Sequence, residues 1–276
     1  MTFQSVNCSA NREGKTCYDN DSLIKLKKLW NNKHPTSKIK TDNPNEIWLN
    51  LKEKLKGTCE DEACWIKQEF SKHNLDDKLL NYTFAPSQPK EWKKNKNEWL
   101  TSDDITNVMK QYEKEFKHFQ FLGPSPIDFD KNDKHGNVVW PSLKNLNIEN
   151  VLKKNKNLIG IIFNLDEHHK SGSHWVSMII NIKESYIYYF DSTGDKQPKE
   201  INVLVDRLTK QGEKLGIKFE FIVNKKEHQM KNTECGIYSL YMLTQVVKHK
   251  KSPKNFDEKI IPDKDMEDLR NYFFNK

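Results

Sequence analysis

Gln229-Met230-Lys231-Asn232-Thr233-Glu234-Cys235-Gly236-Ile237-Tyr238-Ser239-Leu240-Tyr241-Met242-Leu243 carries a cysteine across the boundary between a polar loop and an apolar run. Residues 235–247 are apolar enough for a buried helix. A thiol at such a helix start meets backbone N–H groups without intrahelical acceptors and the positive end of the dipole, both of which favour thiolate. The same amides can point at a developing oxyanion. Gly236 removes side-chain bulk beside the sulfur. Position alone leaves a structural thiol open, since cysteine is among the most buried residue types.

Two further stretches offer partners. In Lys170-Ser171-Gly172-Ser173-His174-Trp175-Val176-Ser177-Met178 a glycine-containing loop leads into an apolar strand, with His174 at its mouth. Imidazole titrates near neutrality and can exchange a proton with a cysteine on a neighbouring helix. Tyr188-Tyr189-Phe190-Asp191-Ser192-Thr193-Gly194 ends the next strand with Asp191. If the two strands pair, Asp191 falls beside the His174 ring, where it can bond the second nitrogen and stabilise the imidazolium. Gln229 offers a side-chain N–H as a second oxyanion donor. Each residue also has a plain reading: an ordinary histidine, an aspartate opening a turn before Gly194, a loop glutamine. The order His, Asp, Gln, Cys at this spacing is the specific signal.

The surroundings read as mixed α and β. Residues 158–165, 175–182 and 186–190 are short runs rich in Ile, Val, Tyr or Phe, the last two close enough for a hairpin. Residues 201–215 keep helical spacing, residues 217–223 alternate like a strand with one buried face, and Met266, Leu269, Tyr272 and Phe273 mark a terminal helix. Thr101 caps a helix with Asp104 at its third position and Ile105, Val108, Met109, Tyr112 and Phe116 as its buried stripe. Residues 85–97 look like a linker. Ahead of it, Asp21 or Ser22 can cap a helix with Leu23, Leu26, Leu29 and Trp30 inward. Asn43-Pro44-Asn45-Glu46 opens another, with Glu46 closing a capping box and Gly57 stopping it. We therefore expect a helical accessory arm over 1–91 and a catalytic domain over 92–276. No internal repeat is evident.

Composition narrows the class. The chain has 276 residues and only 35% hydrophobic ones, but 14 Phe, 9 Tyr and 7 Trp supply large burial per residue. No apolar run approaches the roughly 18 residues needed to cross a bilayer, and Met1-Thr2-Phe3-Gln4-Ser5 lacks the basic and apolar regions of a secretory leader. No membrane association is expected. Five cysteines, an odd number, argue against a disulfide scaffold. Cys8, Cys17, Cys59 and Cys64 crowd the first quarter, and Cys235 stands alone. Reduced structural thiols are favoured over a zinc site for the first four, because the spacing of Cys8 and Cys17 is loose for a ligand pair. His168 and His169 are expected to face water. A net charge of +7 permits weak, sequence-blind contact with nucleic acid, but no nucleic-acid motif accompanies it.

His174-Trp175, Asp191, and Gln229 six residues before Cys235-Gly236 resemble the adenain-type and ubiquitin-like-specific (SUMO) cysteine peptidases. Papain-type enzymes place the cysteine first. Glu98-Trp99-Leu100-Thr101-Ser102-Asp103-Asp104-Ile105 is similar to the opening of SUMO-protease catalytic domains. Within the superfamily the likeness is greatest to the polyprotein-processing proteases of large DNA viruses such as African swine fever virus. It shows in Gly172-Ser173-His174-Trp175-Val176, Tyr189-Phe190-Asp191-Ser192, His228-Gln229, Thr233-Glu234-Cys235-Gly236 and Asp265-Met266, with Cys59 and Cys64 matched in the arm. The swine fever enzyme carries asparagine where this chain has Asp191; aspartate is the commoner choice in the wider family.

The resemblance implies an α+β, papain-like core of the SUMO-protease/adenain type behind a helical arm. It implies a thiol endopeptidase with Cys235 as nucleophile, His174 as base, Asp191 orienting the ring and Gln229 in the oxyanion hole. Trp175 and Gly236 would contact a polypeptide substrate cut after Gly-Gly, Trp175 walling a channel that only residues without side chains can thread. Viral members process capsid and core precursors during virion maturation, which implies a location in the virion and host cytoplasm; cellular members act on SUMO-like modifiers. No cofactor or metal is implied. Two alternatives remain: a deconjugating enzyme for ubiquitin-like proteins, and an acetyltransferase that uses the same His, Asp and Cys to carry an acyl group. Oligomeric state is not legible.

Overall fold

Residues 3–11, 14–72 and 74–276 are described by the computed structural model; Met1 and Thr2, read above for a leader, lie outside them. The chain packs as two compact units, one over residues 1–88 with 271–276 and one over 89–270. The sequence reading carries the second region to residue 276; the structure returns the last six residues to the first unit.

In the first unit Asp19, rather than Asp21 or Ser22, caps α1 (Asn20–Lys33) by accepting the Ser22 N–H at 2.9 Å. A cap must precede the first turn by enough residues to reach its third amide, and Asp19 stands at that spacing. Asn43 caps α2 (Pro44–Leu55) as expected, but Glu46 turns to the Thr41 hydroxyl and closes no capping box. Both helices, α3 (Asp77–Asn81) and the segment around Trp65 bury Leu23, Leu26, Ile47, Leu51, Trp65 and Leu79 together. Two disulfides, Cys8–Cys17 and Cys59–Cys64, span Cα distances of 5.1 and 5.5 Å. They overturn the expectation of four reduced thiols: the fold brings each sequence-near pair within bridging distance. Asn275 donates to the Asn7 and Ala85 carbonyls, tying the C-terminal residues to this unit.

In the second unit the expected linker is partly ordered, with a 3₁₀ turn (Lys90–Lys93) and a buried Trp92. Thr101 and Asp104 form the expected capping box at the start of α4 (Ser102–Glu115). Six strands among the described residues make one mixed sheet: β1 (Phe119–Phe121), β2 (Ser125–Pro126), β3 (Leu158–Asn164), β4 (Trp175–Asn181), β5 (Tyr186–Phe190) and β6 (Glu220–Val223). The order is β1-β3-β4-β5-β6, with β2 also on β3; β4 runs antiparallel to both β3 and β5, and the remaining pairs are parallel. β6 is shorter than the alternation suggested and only half-buried, as befits an edge strand.

Because side chains alternate across a strand, Ile159, Ile161, Phe163, Val176, Met178, Ile180, Ile187 and Tyr189 share one face of the sheet. That face packs against α5 (Pro141–Lys144), α6 (Ile148–Lys153) and α7 (Lys199–Lys214). The other face carries α8 (Cys235–His249), buried along most of its length. Its approach is close: a Cβ at Gly160 of β3 would stand 3.2 Å from Leu243 and 2.8 Å from Phe119. Two further helices, α9 (Pro253–Asp257) and α10 (Asp263–Phe273), follow. The helix that begins with the thiol thus packs on β4, whose start follows His174, and on β3, while Asp191 ends the neighbouring strand β5. Among the described residues no helix is long and apolar enough to cross a membrane.

Candidate active site

β4 starts at Trp175 and β5 stops at Phe190, which leaves His174 and Asp191 just outside the same end of a hairpin. Ser177 pairs with Phe190, so one more step of the antiparallel register sets Asp191 opposite Val176 and diagonal to His174. The His174 Nε2 lies 2.8 Å from Asp191 Oδ1. Asp191 is 1% exposed, and its Oδ1 also accepts the Thr193 N–H at 3.0 Å and the Thr193 hydroxyl at 2.8 Å. The Asn224 side-chain amide donates to the Asp191 carbonyl at 2.6 Å and fixes the strand end.

The ring nitrogen of His174 that does not meet Asp191 is Nδ1, and Cys235 lies near enough to the imidazole to act on its charge. Burial disfavours the imidazolium, but the hydrogen bonds to Asp191 and Cys235 and the negative charge of both outweigh it and raise the His174 pKa to about 10. Cys235 is the free cysteine among the described residues and is buried at the first position of α8. A helix N-terminus offers no intrahelical acceptor to its N–H.

Gln229 is buried on the preceding loop. Its Nε2 donates to the Lys231 carbonyl at 2.5 Å, and its Oε1 accepts the Ser192 hydroxyl at 2.7 Å. The loop is clamped from behind by Asp263, whose Oδ2 accepts the backbone N–H groups of Met230 and Lys231. His228, beside Gln229, is fully buried and stacks on Phe190 at 5.5 Å. Burial, then Lys226, lowers its pKa to about 4, so it packs as a neutral ring.

Trp175 is buried against Leu100, donating its indole N–H to the Leu100 carbonyl at 3.0 Å. Gly236 meets Leu100 from the other side: an added Cβ would lie 3.1 Å from the Leu100 Cβ and Cδ1. A cleft of about 830 Å³ is lined by Trp99, Leu100, Asn164, His168, Gly172 and Trp175, among others. Gly172 and Trp175 are near neighbours of His174 in the chain. His168 is exposed as expected, but its Nδ1 lies 2.7 Å from the buried Asp128 carboxylate. Among the described residues no three His, Cys, Asp or Glu side chains are grouped to hold a metal ion, and the four cysteines weighed as zinc ligands are paired in disulfides.

The fold therefore brings together His174, Asp191 and Cys235, with Gln229 on the loop that feeds α8 and Trp175 and Gly236 flanking Leu100. Sequence reasoning missed two supporting contacts. One is the Ser192 hydroxyl on Gln229. The other is Arg270, which forks onto Glu234 immediately before the thiol. Composition held a signal for the second. Of the 46 basic residues only Arg12, Arg207 and Arg270 are arginine; an arginine retained in so lysine-rich a chain points to a forked contact.

The sequence profile of the "Ulp1 protease family, C-terminal catalytic domain" matches residues 103–276. A protein of Acanthamoeba polyphaga mimivirus named as a thiol protease is 27% identical over 259 residues, covering 86% of this chain and 82% of that one. A cysteine protease of African swine fever virus is 26% identical over 242 residues, covering 82% of this chain and 86% of that one. The crystal structure of an African swine fever virus protease superimposes with a TM-score of 0.66 at 19% identity, over 99% of this chain and 97% of that one, so the two share an α+β fold. A profile match over most of the chain, carrying all four residues of the site, decides the kinship: the chain belongs to the Ulp1 family of cysteine proteases.

Proposed function

We propose that this protease is an endopeptidase that cuts after Gly-Gly pairs, with Cys235 as nucleophile and His174 as general base and acid. Asp191 orients the ring, and Gln229 and the Cys235 amide bind the oxyanion. The observation that supports this most directly is the imidazole 2.8 Å from the Asp191 carboxylate, with Cys235 near enough to act on its charge. With its pKa raised to about 10, His174 is an imidazolium at neutral pH, able to give its proton to a leaving amine.

The sulfur adds to the scissile carbonyl carbon, and the carbonyl oxygen becomes an oxyanion that accepts from the Cys235 N–H and the free Gln229 side-chain N–H. The C–N bond then breaks, His174 gives its proton to the leaving amine, and a thioester remains. Water attacks the thioester while His174 takes one of its protons. Loss of sulfur from the second tetrahedral intermediate releases the carboxylic product and restores the starting pair.

Preference for glycine follows from the walls of the cleft. Trp99, Leu100 and Trp175 line it, Trp175 next to His174 in the chain, and bulky side chains before the scissile bond would meet these residues. The viral relatives are named as proteases, and the resemblance to polyprotein-processing proteases of large DNA viruses favours a role in processing virion precursors in the host cytoplasm or virion.

A Gly-Gly-X peptide library read by mass spectrometry tests the proposal. Wild-type protein is expected to cut after the second glycine, Cys235→Ala and His174→Ala to give no cleavage, and Asp191→Ala to retain weak activity. Undiminished turnover by Cys235→Ala would end it. Cleavage of peptides without cleavage of SUMO fusions supports precursor processing; the converse supports deconjugation.

A further inference from the structure

We propose that Ser192 is a positioning residue which, together with the Lys231 carbonyl, holds the Gln229 side chain in the one amide orientation able to donate to an oxyanion. This rests on the oxyanion reading of Gln229. A primary amide can be turned by half a rotation with little change in shape, and only one of the two settings presents N–H. The Lys231 carbonyl can only accept, so the Gln229 atom 2.5 Å from it must be Nε2. One N–H is thereby used and one is left. Oε1 then faces Ser192 Oγ at 2.7 Å, and the serine hydroxyl must be the donor.

Backbone contacts reinforce the grip. The Ser192 carbonyl accepts the His228 N–H at 2.8 Å and the Gln229 N–H at 2.9 Å. Ser192 and Gln229 are both buried, so water does not compete for the amide. The preceding residue is Asp191, which holds the imidazole. Two consecutive residues at the end of β5 therefore aim the two halves of the site, Asp191 the proton carrier and Ser192 the oxyanion donor. Removing the hydroxyl frees Oε1 to seek other donors, and the remaining N–H leaves its line.

A double-mutant cycle on cleavage of a Gly-Gly-X peptide tests this, with folding checked by near-ultraviolet circular dichroism. Ser192→Ala is expected to lower kcat by roughly ten-fold, a part of what loss of an oxyanion donor costs, with KM within about two-fold of wild type. In a Gln229→Ala background the same change is expected to add nothing. Ser192→Cys, a weaker donor of similar size, is expected to recover part of the rate, and it replaces Ser192→Ala in the cycle if the alanine variant does not fold. An equal fall in both backgrounds overturns the positioning role, because it marks a structural effect that does not act through Gln229. Full kcat in Ser192→Ala beside a slow Gln229→Ala overturns the positioning role alone. Full kcat in Gln229→Ala overturns the oxyanion reading and the positioning role together.

Discussion

Arg270 grips Glu234 through Nε to Oε2 at 2.7 Å and Nη2 to Oε1 at 2.9 Å, one residue ahead of the thiol, and both side chains are buried. The same guanidinium donates to the carbonyls of Glu98 and Thr233 and lies 4.6 Å over the Trp92 ring. It thus joins the start of α8, the C-terminal helix and the segment leading into Trp99 and Leu100. Its charge leaves Glu234 compensated in a place where water cannot reach it.

Replacing Arg270 by Met strands that carboxylate, and breaking a buried pair from one side costs about 3–5 kcal/mol. Arg270→Lys keeps the charge but cannot fork onto Glu234 while reaching two carbonyls, so it is expected to fall between Met and wild type. Urea denaturation of the three proteins checks the order. Equal stability of Arg270→Met and wild type would contradict the assignment.

Stability is expected to peak near pH 6.5, for two opposite reasons. His174 binds its proton more tightly folded than unfolded, with its pKa raised to about 10. Its contribution is complete below about 6.5, the unfolded value, and is lost as pH rises towards about 10. His228 is depressed to about 4. Its contribution is present above about 6.5 and is lost as pH falls towards 4, because the unfolded ring takes a proton that the folded ring refuses. Thermal melts across pH 4–10 should show both limbs. Asp191→Asn is expected to flatten the alkaline one and His228→Phe the acid one; unchanged limbs in both variants would refute the assignment.

Gly236→Ala separates helix propensity from packing. In an open helix the change would stabilise by about 1 kcal/mol. Here the new methyl stands 3.1 Å from two Leu100 carbons, and Leu100 in turn receives the Trp175 indole on its carbonyl. The expected outcome is a small change in melting temperature and a fall in kcat/KM of at least about ten-fold, since displacement near reacting atoms is costly. Wild-type kcat/KM would show that the corner tolerates the methyl.

Thiol titration of denatured, unreduced protein is expected to find one reactive cysteine, Cys235, and five after reduction. Reduction should also loosen residues 3–88, measured as faster hydrogen exchange there, by about 2 kcal/mol per bridge because the closed loops are short. Five thiols before reduction would mean that the bridges do not form.

Much of the second unit was legible because its signals are local. The hairpin of β4 and β5 follows from two β-rich runs joined by a short turn, and the period-2 register then sets Asp191 near His174 without further information. Thr101 and Asp104 announce α4 through bonds three residues apart. Where local signals were evenly matched the reading slipped. Asp19, Asp21 and Ser22 all suit a cap, and which one serves depends on where the buried Leu23 and Leu26 settle. The disulfides were missed because a cysteine count says nothing of which Cα atoms approach.

What the amino-acid order determined alone is the chemistry: an imidazole at a strand mouth, a carboxylate at a strand end and a thiol where a polar loop becomes an apolar helix. Each of these depends on neighbours within a few residues. Only the folded chain decided how the thiol's helix is held and how the amide beside it is turned, since Arg270 reaches Glu234 and Ser192 reaches Gln229 across 36 and 37 positions. Contacts at that separation depend on how the sheet and helices pack, and no local pattern in the chain encodes them.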